Sequence, residues 1–203
     1  MLSRDRLYEI LPLLLSSIVL SSTACIMPLA GAKHDTSTFL TYNNTDLGFT
    51  IKYPSNWTVE KINAAGGYIQ FISSDRAALV GVSIHKLENI TTEKVAAFMN
   101  ASADQFVSSL LSHQRLVEMD PNGHFLSGKP AIRVMLMQSY VRPSQLKTPQ
   151  YPEPHDVKTM GYLTIVGRTM YKVVYSVTPP EDFFRYFQMA QSIIDSFQII
   201  SKP

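Results

Sequence analysis

Glu153, His155 and Asp156 place two carboxylates and an imidazole close together on a stretch stiffened by Pro149, Pro152 and Pro154. Oxygen and imidazole donors of this kind suit a divalent cation, with calcium or manganese the natural choices for an oxygen-rich set. Their spacing matches no established ligand pattern, and an extended segment does not turn three such neighbours toward one ion, so solvated loop polarity competes with the metal reading. His85 or His124 completes such a site only if the fold brings one of them near.

Other chemistries find less support. A serine hydrolase needs its nucleophile on a strained turn of the Gly-x-Ser-x-Gly kind, and Ser127-Gly128 lacks that frame. Gly66-Gly67 and Gly81 make neither a Gly-x-Gly-x-x-Gly nor a Gly-Lys-Ser/Thr phosphate loop. Spacing alone does not decide on paired carboxylates for glycoside chemistry, but Glu181 and Asp182 are accounted for by a helix N-terminus. The single cysteine, Cys25, lies in an apolar leader, so the body has no disulfide and no thiolate chemistry. A net charge of +2 with scattered basic residues gives no electrostatic footprint for nucleic acid. No catalytic constellation emerges, and a hydrolase stands only as a third alternative.

Binding is the more open possibility. Tyr140, Tyr151, Tyr162, Tyr171 and Tyr175, with Arg133, Arg142 and Arg168, outline an aromatic and basic surface whose plain alternative is ordinary strand tyrosine. Arg142 and Tyr151 are the expected partner-contacting members because they sit on the proline-rich loop from Arg142 to Asp156.

The elements that position these residues follow from the patterning. From Ile10 to Met27 the chain is uncharged, Arg4 and Arg6 precede it, and Ala30-Gly31-Ala32 follows as a small-x-small cleavage pattern. Residues 1–32 therefore read as a signal peptide, with an uncleaved membrane anchor and a lipoprotein box at Ser22-Thr23-Ala24-Cys25 as alternatives. Each reading places residues 33–203, a single domain, outside the cytoplasm. Asn43, Asn56, Asn89 and Asn100 begin sequons that fit an exported glycoprotein.

Within the domain, Phe39 to Thr45 and Phe49 to Tyr53 read as a hairpin around Asp46-Leu47-Gly48, closed by Pro54 and followed by the apolar anchor Trp57. Tyr68 to Ile72 and Leu79 to Leu87 are two further strands, with Gly81, Ser83 and His85 on one face of the second. Thr91 or Thr92 caps a helix expected to run to about Leu111. Pro121-Asn122-Gly123 and Ser127 to Pro130 read as turns bounding a short connection. Ala131 to Val141 is a long strand whose Met135 and Met137 suggest burial on both faces and hence a central position. Val157 to Val166 and Thr169 to Val177 form a hairpin around Gly167-Arg168. Thr178, Pro179 and Glu181 spell a capping box for a last helix with an apolar stripe of Phe183, Phe187, Ala190, Ile194 and Phe197, widened by Phe184 and Ile193.

A strand ending Tyr53-Pro54 with Trp57 just beyond, a mid-chain helix, a long strand, a hairpin and a final helix ending Ile193-Ile194-Asp195-Ser196-Phe197 together resemble the PsbP family, the extrinsic photosystem II subunit and its relatives. The resemblance covers most of Phe39 to Ile199. It implies an α+β fold: an α/β/α sandwich around a largely antiparallel sheet, shared with a nuclear-transport regulator that binds a small GTPase. It also implies non-catalytic proteins that dock on a membrane complex and help retain calcium, chloride or manganese. Photosynthetic docking in the family uses a basic N-terminal arm, whereas only Lys33 is basic just after the leader here, which groups this chain with exported non-photosynthetic relatives. The resulting expectation is an exported, non-enzymatic binding or accessory protein at the outer face of the membrane, with a membrane or envelope protein complex as partner. A divalent-cation-binding accessory protein is the alternative.

Overall fold

The computed structural model describes residues 38–62, 67–87, 91–100, 114–140 and 155–200. β1 (Phe39–Asn44) and β2 (Phe49–Pro54) form the expected hairpin. Its turn needs the left-handed backbone of Gly48, φ +74°, whose N–H donates to Asn44 O at 2.9 Å. Phe49 and Ile51 are fully buried on one face of β2 while Lys52 points to solvent. Trp57 then packs into the same core.

Seven strands build the main sheet in the order β3-β4-β5-β9-β8-β7-β6, every neighbouring pair antiparallel. They are β3 (Thr58–Ile62), β4 (Tyr68–Ile72), β5 (Ala78–Lys86), β6 (Gln114–Leu126), β7 (Lys129–Tyr140), β8 (His155–Val166) and β9 (Thr169–Val177). A two-residue strand, β10 (Gln198–Ile199), pairs with β2 to make a three-stranded sheet, β1-β2-β10.

The register sorts the side chains into two layers. Val80 and Val82 of β5, Val173 and Tyr175 of β9 and Met160 and Tyr162 of β8 share the face covered by α2 (Phe183–Asp195), which buries Phe183, Ala190, Ile193 and Ile194. Ile132, Val134 and Leu136 of β7, with Leu163 and Met170, face the other way and cluster with Phe98 of α1 (Thr92–Met99). The architecture is thus the α+β arrangement expected, an antiparallel sheet between helices.

Several sequence expectations change on this frame. β3, β6 and β10 were not anticipated. Pro121-Asn122-Gly123 is not a turn between elements but an irregularity inside β6, where pairing with β7 shifts between Asp120 and His124. β7 is not central: it lies next to the edge strand β6, and Met135 and Met137 are only half-buried. The capping box does not form: Thr178 stands just past the end of β9, its N–H donating to Ala77 O at 3.0 Å and its hydroxyl to Asp156 O at 3.4 Å. A 3-10 turn, Pro180–Asp182, leads into α2 instead. Thr91 does cap α1, accepting from Lys94 N–H at 3.4 Å, but α1 closes at Asn100, and Phe106 and Leu110 lie outside the described residues.

Candidate partner-binding surface

β7 and β8 end together, Ser139 opposite Asp156 and Tyr140 opposite His155. His155 and Asp156 therefore belong to a strand and not to the loop, since sheet pairing extends past Val157. The Ser139 hydroxyl donates to the Asp156 carboxylate at 2.7 Å. Arg142, Tyr151 and Glu153 fall in residues 141–154, outside the described residues, as does Asn89. Asn43, Asn56 and Asn100 are exposed.

Neither distant histidine joins Asp156. His85 pairs with Met170, which pairs with Ile165, about 30 Å along β8 from Asp156 at ~3.3 Å per residue. His124 sits opposite Ala131, at that same far end of the sheet, and bonds to Asp120 at 2.8 Å. Among the described residues no group of three His, Cys, Asp or Glu side chains is placed to hold a metal ion.

Three of the tyrosines expected on the aromatic and basic surface do not contribute to it, and the side chain of Tyr140 lies outside what is described. Tyr162, Tyr171 and Tyr175 are buried, the Tyr175 hydroxyl donating to Phe183 O at 2.6 Å and that of Tyr162 to Gln191 Oε1 at 3.3 Å. Arg133 is ion-paired to Glu118.

A different surface forms beside the strand ends. Arg115, Met137 and Lys158 are consecutive cross-strand neighbours on β6, β7 and β8, on the face that carries α2. The Lys158 ammonium lies 4.4 Å from the Phe183 ring centroid and 5.2 Å from that of Phe184, a cation over aromatic faces. Phe183 is buried, but Phe184 is 76% exposed, the reverse of its expected place in the core stripe. Met135 adds half-buried apolar surface one pair further in. Carboxylates bracket the row: Asp156 held by Ser139 on one side and Glu118 paired to Arg133 on the other. Among the described residues no carboxylate lies within ion-pair distance of Arg115 or Lys158. An apolar centre of Met137 and Phe184 flanked by two such cations has the make-up of a contact surface.

The sequence held one signal for Phe184. Adjacent helical residues point about 100° apart, so Phe183 and Phe184 do not both face a single sheet. Nothing in the order of residues signalled that Arg115, Met137 and Lys158 meet.

The opposite face holds buried polar groups within a packed layer. Ser83 lies directly across from Lys172, Tyr68 across from Ser83, and Thr159 across from Ser176, whose hydroxyl is 2.9 Å away. Burial pushes Lys172 down to about 8. It also lowers His85, with the Lys172 charge adding to the effect. The layer has no room at Gly81, where a Cβ would stand 2.3 Å from the Tyr68 hydroxyl.

Solved structures similar to this chain include the cyanobacterial PsbP protein, CyanoP, of Synechocystis sp. PCC 6803, at 13% identity and a TM-score of 0.49 over 85% of this chain and 98% of that one. LpqN, described as involved in cell envelope biogenesis of Mycobacterium tuberculosis, aligns at 12% identity and a TM-score of 0.48 over 83% and 87%. The Ran-binding protein Mog1p of Saccharomyces cerevisiae aligns at 9% identity and a TM-score of 0.47 over 82% and 97%. No family model and no curated protein sequence matches the chain.

Proposed function

We propose that this chain is an exported, non-enzymatic accessory protein that captures a protein partner at the outer face of a membrane, using the end of the sheet where β7 leads to β8. The observation that carries this reading is Phe184, 76% exposed beneath the Lys158 ammonium, whose strand neighbour Met137 is half-buried. An exposed large apolar side chain beside cations that have no carboxylate in ion-pair range among the described residues favours association over solvation. Tyr140 and His155 pair at the strand ends that precede and follow residues 141–154 in the chain, which include Arg142 and Tyr151. The uncharged leader supports export. His124 is paired with Asp120, and Tyr186 with Asp75.

The test is affinity capture from the native envelope with the tagged full chain and with a variant whose residues 142–154 are replaced by Asn-Gly, which leaves the Tyr140–His155 pair intact. The expected result is a protein retained by the parent and lost from the variant. Equal retention by both overturns the reading. Metal retained only by the parent, with no protein, assigns Glu153, His155 and Asp156 to a divalent cation instead.

A further inference from the structure

We infer that β1 is a pairing edge for a second copy of this chain, the two β1 strands running antiparallel about Thr41 and joining two three-stranded sheets into one. The inference stands apart from the partner-capture reading, since it concerns the other sheet.

The edge of a sheet carries unpaired backbone donors and acceptors, which proteins blunt with charge, proline, bulges, brevity or a cover. Among the described residues the two sheets end in β1, β10, β3 and β6. β10 is two residues long, and its Ile199 N–H is taken by Ser127 Oγ at 2.8 Å. β3 carries Glu60 and Lys61. β6 is broken by two shifts of register and carries Pro121 together with Arg115, Glu118 and Asp120. β1 has none of these devices. Its six residues, Phe39 to Asn44, hold no charge and no proline and pair with β2 without a break. Phe39 and Leu40 on this edge are 36% and 44% exposed.

The order of residues selects a second copy as the occupant. Antiparallel pairing centred on Thr41 sets Thr41 opposite itself, Leu40 opposite Tyr42 of the other copy, and Phe39 opposite Asn43. Leu40 and Tyr42 share one face of β1, the face on which the Tyr42 ring meets those of Phe49 and Phe71 with centroids 6.0 and 5.6 Å apart. Each exposed Leu40 therefore covers a half-buried Tyr42, twice by symmetry, and extends the aromatic layer across the junction. Threonine on threonine and aliphatic on aromatic are favoured cross-strand pairs. A slip of one residue sets Leu40 opposite Asn43 and loses both contacts. An uncharged edge offers a foreign segment no ion pair to be chosen by, whereas two copies of it meet with no like charges opposed. Six residues a side fall short of the ~20–30 of a standard interface, so the dimer is weak and concentration-dependent.

The experiment is sedimentation equilibrium of the full chain at concentrations up to about 1 mM, with Thr41→Lys, Thr41→Glu and their equimolar mixture. Thr41 is exposed, so both variants are expected to keep the fold. The parent is expected to form a reversible dimer. Each variant sets like charges directly opposite at the centre of the pair and is expected to weaken the dimer about tenfold. The mixture is expected to regain a dimer with one copy of each, a gain that a misfolded protein does not show. A parent that stays monomeric throughout, equal association by the parent and both variants, or a mixture no stronger than its components overturns the proposal. A monomeric parent that retains an envelope protein lost from Thr41→Lys overturns it in favour of strand addition by a partner of different sequence.

Discussion

Lys172 is a lysine buried within the sheet layer. It is 3% exposed on β9, opposite Ser83, and burial holds its ammonium near 8 against an ordinary 10.5. Between those values the unfolded chain binds more protons than the folded one, so stability rises with pH through the window. Below about 8 the cost of the buried charge is fully present, and the whole gap corresponds to ~3 kcal/mol. His85, also lowered, acts the same way further down, removing stability as pH falls through its unfolded value of 6.5. Above about 10 the sign reverses, because burial raises Tyr68 and Tyr171 and their phenols ionise first in the unfolded chain. Urea denaturation of the parent is therefore expected to show stability increasing from pH 8 to about 10, and Lys172→Met is expected to flatten that increase. Identical slopes for the two proteins would show that Lys172 keeps its proton on folding.

α2 shows how an element divides two similar residues between core and surface. Phe183 is 1% exposed and meets the Tyr175 ring with centroids 4.9 Å apart, whereas Phe184, one position on, is 76% exposed. Phe183→Ala is expected to cost about 3–5 kcal/mol and Phe184→Ala less than about 0.5 kcal/mol, read from denaturation midpoints at constant slope. Comparable losses would place Phe184 in the core. The elements legible in the sequence are those whose patterning matches their burial: β2, β5, β8, β9 and the α2 stripe announce themselves by alternation or helical spacing. β6 does not, because Pro121 and Gly123 carry the chemistry of a turn while the chain uses them for a break in register within one long strand. β7 was legible as a strand but not in its place, since half-buried methionines look alike in a central strand and beside an edge. The row beside the strand ends was hidden for a related reason. Arg115, Met137 and Lys158 lie on three separate strands, and only pairing register, which rests on contacts distant in sequence, aligns them.

The two sheets share one core, and that decides how the whole molecule unfolds. Phe49 of β2 stacks on Phe197 with centroids 5.6 Å apart, and Phe197 in turn meets Tyr171 of β9. Backbone links run the same way: Lys52 N–H donates to Ser196 Oγ at 2.8 Å, and Ile199 N–H donates to Ser127 Oγ at 2.8 Å. A three-stranded sheet with one two-residue strand has too little apolar surface to persist by itself, so its stability is borrowed through α2 from the larger sheet. Trp57, the single tryptophan, is buried where the two sheets meet in that cluster and reports on the junction. Tryptophan fluorescence and far-ultraviolet circular dichroism are thus expected to give coincident urea transitions. Phe197→Ala is expected to shift both curves together, with a loss of about 3–5 kcal/mol. A fluorescence transition that precedes the loss of dichroism would mean that β1, β2 and β10 open as a separate unit, and that the link through Phe197 and Ser196 is weaker than its packing indicates.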